Sequence, residues 1–225
     1  MRRLLLFLFC LPALLSLQAQ SDDEYKMEVG GGLGLVSYEG DLNGNIAKGA
    51  QPMASLLLKR VLSPYMDVTA QLSLGKLKGS NKGLKTYYPG LQDAYEFSHS
   101  VMDLGIRFEY NFWPYGTGRE YLGARPLTPF VFGGLGGTYV DAGKSVLVVN
   151  MPFGAGVKYK VAPRLNLALE WAMHFTDSDK FDGVNEPLYI ESTGLFKNRD
   201  CYSMLQLTLT YSFLPKCRVC HNADE

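Results

Sequence analysis

From Val146 to Phe175 large apolar residues alternate with small or polar ones, interrupted once at Ala162, Pro163 and Arg164. Leu147, Val149, Met151, Phe153, Ala155, Val157, Tyr159 and Val161 share one face, and Leu165, Leu167, Leu169, Trp171, Met173 and Phe175 resume it after the break. A period of two is the strand period, so the segment predicts an antiparallel hairpin with one apolar face. Strands of soluble sandwiches run about five or six residues. These run well past ten, the length that crosses a bilayer when tilted.

The same pattern recurs along the chain and predicts eight strands. The first covers Tyr25 to Tyr38, with Met27, Val29, Leu33 and Leu35 opposite a row of glycines, which suit a small barrel that must curve and accommodate its own filling. The second, Gln51 to Val61, contains Leu56, Leu57 and Leu58 in a row, so its facing is ambiguous. In the third, Met66 to Leu77, Met66, Val68, Ala70, Leu72 and Leu74 alternate with Asp67, Thr69, Gln71, Ser73 and Gly75. A polar stripe so regular must face water or a polar lumen. The fourth (Phe97 to Phe112) sets Asp103, Gly105, Arg107, Glu109 and Asn111 against Met102, Leu104, Ile106, Phe108 and Tyr110. The fifth (Thr128 to Val140) is rich in glycine, the hairpin supplies the sixth and seventh, and the eighth runs from Asp200 to Phe213. The expected fold is all-β: an eight-stranded antiparallel transmembrane β-barrel of the outer membrane, at the smallest usual strand number.

Loop lengths orient such a barrel, because outer-membrane barrels keep short connections on the periplasmic side and long ones outside. With both termini periplasmic, the turns after strands two and six fall inside, and the long hydrophilic loops Lys78 to Glu96 and Asp177 to Arg199 fall outside. The periplasmic connection Trp113 to Leu127 is longer than a turn. Tyr110, Phe112, Trp113, Tyr159, Trp171, Tyr211 and Phe213 are expected near strand ends, as a membrane-interface girdle requires.

The chain's beginning fits that destination. Arg2 and Arg3 precede an apolar run from Leu4 to Leu17, and Leu17, Gln18 and Ala19 form a cleavage site. The expected organisation is a signal peptide at 1–19, the barrel at 20–215 and a short periplasmic tail at 216–225. Cys10 lies inside the apolar run behind bulky Phe9, a poor context for lipid anchoring. Beyond Ala19 no stretch reaches the roughly 18 unbroken apolar residues of a membrane helix, and mean hydropathy is −0.04. Without Arg2 and Arg3, 20 basic residues face 22 acidic ones, so electrostatics give no case for nucleic-acid binding.

An eight-stranded barrel has a lumen filled by side chains, which argues against general diffusion. The inward charges Asp67, Asp103, Arg107, Glu109, Lys158 and Glu170 are too costly to bury singly and are expected to form a polar network. If the turn at Ala162 to Arg164 sets the register, Gly156 opposes Glu170 and Lys158 lies diagonally within reach of it. Lipid-hydrolysing barrels use a serine and histidine at the outer rim. His99 lies between Ser98 and Ser100, but adjacent strand residues point to opposite faces, so a cross-strand partner would be needed. His174 is expected inside as polar filler. Asp177, Asp179, Asp182 and Gly183 hint at calcium, yet their spacing departs from the EF-hand loop and also suits a solvated loop. No catalytic residue, metal or cofactor is expected.

Cys217, Arg218, Val219, Cys220 and His221 match the haem-attachment spacing in form, without a packed domain to shield a haem. A Cys217 to Cys220 disulfide and thiols available to a partner are the other readings. Cys201 begins strand eight at the opposite end, too far to bridge to either.

The stretch Glu28 to Asn43, a glycine-rich strand running into Ser37, Tyr38, Glu39, Gly40, Asp41, Leu42 and Asn43, resembles the opening of the outer-membrane barrel component (PorG-like) of the type IX secretion system. Pro129 to Thr138, Pro152 to Lys160, Leu167 to Trp171 and Thr176 to Gly183 are similar to that family's later strands and acidic loop. The resemblance implies a non-enzymatic secretion component that contacts a periplasmic ring made of a lipoprotein and its partner protein. The expected docking pieces are the Trp113 to Leu127 connection, with Trp113 and Arg119, and the tail with Cys217 and Cys220. Competing classes are a generic structural or adhesion barrel, a small-molecule or lipid binder, and a lipid-active enzyme.

Overall fold

The computed structural model describes residues 24–39, 49–80, 96–117, 123–141, 145–176 and 201–215. The segment expected to be a signal peptide, Arg119, the stretch with Asp177, Asp179, Asp182 and Gly183, and the stretch with Cys217 and Cys220 lie outside these residues.

Among the described residues the elements are β1 (Tyr25–Glu39), β2 (Gln51–Ser63), β3 (Met66–Ser80), β4 (Glu96–Asn111), β5 (Leu127–Asp141), β6 (Ser145–Ala162), β7 (Leu165–Thr176) and β8 (Cys201–Pro215). Each pairs antiparallel with its sequence neighbours, and β1 closes on β8, so the sheet is a barrel without edges. Two connections are tighter than expected: only Pro64 and Tyr65 separate β2 from β3, and only Pro163 and Arg164 separate β6 from β7. Both are flanked by register shifts, at Val61/Ser63 and Lys160/Ala162. Such shifts bend the strand and help it reverse direction in so little chain.

The strands are strongly staggered. Paired positions run once around the wall from Met27 through Arg60, Val68, Phe108, Gly133, Phe153, Met173 and Ser203 and return to β1 at Ser37, ten residues beyond the start. That shear tilts the strands and sets a lumen which side chains can fill.

Alternation sorts residues to opposite sides of the wall. Leu33, Leu104, Ile106, Leu135, Leu147 and Val149 point outward and are more than half exposed. Glu28, Lys59, Asp67, Asp103, Arg107, Glu109, Lys158 and Glu170 point inward and are buried. A protein in water has no physical reason to expose its aliphatic face and bury its charges; a wall surrounded by hydrocarbon does. The ambiguous leucine run resolves the same way, with Leu56 and Leu58 outward and Leu57 inward.

The end of the barrel carrying the two-residue turns is also the aromatic end. Tyr65, Tyr110, Phe112, Trp113, Tyr159 and Tyr211 are partly exposed there, and Arg164 donates to the Tyr211 hydroxyl at 3.2 Å. Trp171 does not belong to this rim: it lies in the middle of β7, opposite Ala155 and Leu205 and well removed from the turn that precedes Leu165.

A sealed polar lumen as the candidate functional site

Inside the wall the side chains form bands stacked from the turn end to the loop end. The turn end is capped by the first residues of the β4–β5 connection. Tyr115, Gly116 and Thr117 are buried in the mouth. The Tyr115 amide donates to Pro64 O at 2.9 Å, and its hydroxyl donates to Asn166 Oδ1 at 2.8 Å. Burial pushes the Tyr115 phenol well above its ordinary value, and the Glu28 carboxylate adds to the shift, so the group stays a neutral donor. Gly116 takes a φ of 140°, open to glycine but not to other residues, and its carbonyl accepts from Lys160 Nζ at 2.7 Å. Asn166 passes the chain of bonds on to Glu28 Oε1 at 3.1 Å, and Thr210 donates to Glu28 Oε2 at 2.8 Å. Trp113 remains on the outer rim, with the Arg125 guanidinium 5.3 Å from its ring centre.

Above this cap lies the charge network. Glu109, fully buried, is its hub: Lys59 approaches Oε2 at 3.0 Å and Lys158 at 2.6 Å, while Arg107 Nε donates to Oε1 at 3.0 Å and Thr69 at 2.6 Å. The two ammonium groups meet Oε2 as ion pairs whose angles fall short of formal hydrogen bonds. Lys158 also bonds Asp67 Oδ2 and Asn111 Oδ1, each at 2.8 Å. Arg107 Nη2 donates to Glu170 Oε2 at 2.5 Å, and Gln206 donates to Glu170 Oε1 at 2.7 Å. From Gln206 the bonds continue to Gln71 and Ser55.

The expected diagonal between Lys158 and Glu170 is therefore replaced. Lys158 crosses the lumen to Asp67 and Glu109, and Glu170 takes Arg107 from the far wall. A lysine side chain spans a lumen this narrow, so strands that are not neighbours compete for it.

Glycines make room for the arrangement. A methyl group at Gly154 would stand 2.4 Å from Phe132 Cζ and 2.3 Å from Trp171 O; one at Gly156 would stand 2.7 Å from Phe130 Cε1. The two rings lie against the bare backbone of β6 and in turn carry cations: Arg107 is 4.3 Å from the Phe132 centroid and Lys158 Nζ 4.4 Å from that of Phe130. Desolvated cation–π contacts of this kind contribute about 2 kcal/mol.

Nearer the loop end Asp103 has neutral company. Its Oδ2 accepts from Thr138 at 3.0 Å, from the Tyr202 hydroxyl at 2.9 Å and from Asn150. His174 stacks on Tyr202 with ring centres 4.5 Å apart, and its buried Nδ1 makes no hydrogen bond. A small space of about 20 Å³ adjoins Gln71, Asp103, Arg107, His174 and Gln206. That is the scale of a single water and not of a permeant solute. The last band is apolar: Val36, Tyr38, Met53, Leu77, Val101, Val140 and Val148 close the loop end from six strands.

All six charged residues expected in the lumen are buried there and within this network or the Asp103 cluster. Lys59 and Glu28 were missed. Lys59 shares parity with Ser55 and Leu57 and was hidden by the leucine run; Glu28 lies on the glycine face of the first strand, whose parity already placed it inside. Ser98 and Ser100 are exposed on the outer face while His99 shares the inner face with Val101, so the hydroxyls and the imidazole stand on opposite sides of the wall. Cys201 is buried at the loop-end start of β8.

An edgeless eight-stranded wall, aliphatic outside and ion-paired within, is the architecture of an integral barrel of the outer-membrane type. The chain belongs to DUF6089, a family described as a domain of unknown function, whose family model matches residues 2–222. Among curated proteins no match is found. Among solved structures the chain is similar to Neisserial surface protein A (TM-score 0.49, 11% identity, covering 83% of this chain and 97% of that one). It is also similar to Ail, the attachment invasion locus protein of Yersinia pestis (TM-score 0.43, 9% identity, 85% and 99%). A third similar structure is the outer membrane enzyme PagL (TM-score 0.38, 12% identity, 83% and 99%).

Proposed function

We propose that this chain is a non-conducting barrel component of the type IX protein secretion machinery, which anchors a periplasmic ring of a lipoprotein and its partner at the outer membrane. The observation that carries the reading is the filled lumen. Tyr115 caps one end, a fully buried ion network occupies the middle, and an apolar band closes the other. A barrel with no passage and no assembled catalytic group among its described residues works through its surfaces. The resemblance of Glu28 to Asn43 and of the later hairpins to the PorG-like component supplies the particular machinery.

The turn end is the docking side in this reading, and it faces the periplasm. Trp113 stacked with Arg125, together with Pro163 and Arg164, provides a firm exposed rim, since Tyr115 to Thr117 are committed to the mouth. β8 ends at Pro215 on the same side. Photo-crosslinking groups placed at Arg125 and Pro163 in intact envelopes are expected to capture the ring proteins, and one at Lys78, at the other end, is not. Deleting the residues after Pro215 is expected to leave a folded barrel with weaker ring co-purification. Capture of no ring protein from any turn-end position would refute the secretion role and leave a structural barrel.

A further inference from the structure

The lipid-facing wall is not uniformly studded. On the outer face of β5, Gly133 and Gly137 flank Leu135, and the missing side chains open an apolar groove of about 650 Å³ against Leu104, Ile106 and Phe108 of β4. In hydrocarbon such a groove is occupied by something flexible and apolar. Following the β3–β4 ladder toward the loop end, Leu104 pairs with Leu72, Met102 with Leu74, Ser100 with Lys76 and Ser98 with Lys78. The last four are all exposed on the outer face. Two ammonium groups and two hydroxyls thus stand directly beyond the apolar band, with Asp141 opposite Ser100 as the one acidic neighbour on β5.

We infer that this face is a binding site for one phosphorylated lipid. Its phosphate is held by Lys76 and Lys78, with Ser98 and Ser100 donating, and one acyl chain lies in the Gly133 to Gly137 groove. The dimensions agree. Six residues separate Ser100 from Ile106, roughly 20 Å along a strand. After strand tilt this is about the 15 Å depth of one hydrocarbon leaflet. The charge is complementary, because a phosphate needs cations at the level where the aliphatic wall ends, and this ladder places them there. With the loop end outward, as the proposed function has it, the ligand is the phosphorylated glycolipid of the outer leaflet. The inference rests on that orientation but is independent of ring docking.

The test is native mass spectrometry of the full-length mature protein in detergent, titrated with lipid A and with lipid A stripped of its phosphates. Wild type is expected to retain the phosphorylated form about twenty- to thirty-fold more strongly, the effect of two lysines at a membrane surface. Lys76→Gln with Lys78→Gln, both exposed and neutral to folding, is expected to abolish that preference. Gly137→Leu fills the groove where an added Cβ meets nothing nearer than Leu147 Cδ1 at 3.7 Å, and is expected to weaken both lipids. Equal retention of the two lipids by wild type, an undiminished preference in the lysine variant, or a lipid-free dimer in place of the adduct would each overturn the inference. Failure of the crosslinking experiment above would leave these outcomes unchanged.

Discussion

Replacing Glu109 by glutamine removes one negative charge and almost no volume from the centre of the barrel. Lys158 keeps Asp67 at 2.8 Å and Arg107 keeps Glu170 at 2.5 Å. The only ion pair of Lys59 among the described residues is with Glu109, so its ammonium loses its contact counter-charge at 6% exposure and keeps only the more distant Glu28 and Asp67 carboxylates. The new amide also presents hydrogens where three cations already converge. Breaking a buried pair from one side costs about 3–5 kcal/mol, because the surviving charge stays desolvated. Removing the stranded charge as well, in Glu109→Gln with Lys59→Met, is expected to recover about 1–3 kcal/mol of this loss, the range of coupling between groups in one network. Urea unfolding in phospholipid vesicles measures both, followed by fluorescence of Trp113 and Trp171, the chain's two tryptophans. A single variant within about 1 kcal/mol of wild type, or a double variant less stable than the single, would refute the claim that Glu109 holds the network together.

Further outcomes are expected from the same geometry. Gly154→Ala forces a methyl group onto the Phe132 ring and the Trp171 carbonyl and is expected to cost about 1–3 kcal/mol, whereas Gly137→Ala makes only an ordinary contact with Leu147 Cδ1 at 3.7 Å and is expected to unfold at nearly the wild-type urea concentration. The purified barrel in a planar bilayer is expected to show no unit conductance at neutral pH; discrete ohmic steps would contradict a filled lumen. Tyr115→Phe deletes the hydroxyl that bonds Asn166 and is expected to lower stability by about 1 kcal/mol, read in the same urea assay, while gel mobility remains that of a folded barrel.

Strict alternation makes β3, β4, β6, β7 and β8 readable from the chain alone, because a slip of one residue would turn an entire apolar face inward. The inward charges follow directly from that parity. The leucine run in β2 defeats the same logic, and with it goes Lys59, whose side chain proves to be a partner of the hub. The pairing itself was out of reach for a different reason. Register reasoning compares adjacent strands, but Lys158 on β6 bonds Asp67 on β3, and Arg107 on β4 bonds Glu170 on β7. Those chords become visible only once the cylinder's radius is known. The β4–β5 connection reads as an ordinary polar loop; nothing in Pro114, Tyr115 and Gly116 announces that the tyrosine turns inward to meet Asn166 on β7.

The chords also govern how the barrel can be built. No isolated hairpin can neutralise Lys59, Lys158 or Glu170, since each finds its partner across a gap of at least one intervening strand. A partly inserted chain would press bare ions against acyl tails, so stepwise threading of one hairpin after another carries a heavy electrostatic cost. The ion pairs instead favour an assembly in which β2, β3, β4, β6 and β7 meet while their inner faces are still sheltered from lipid.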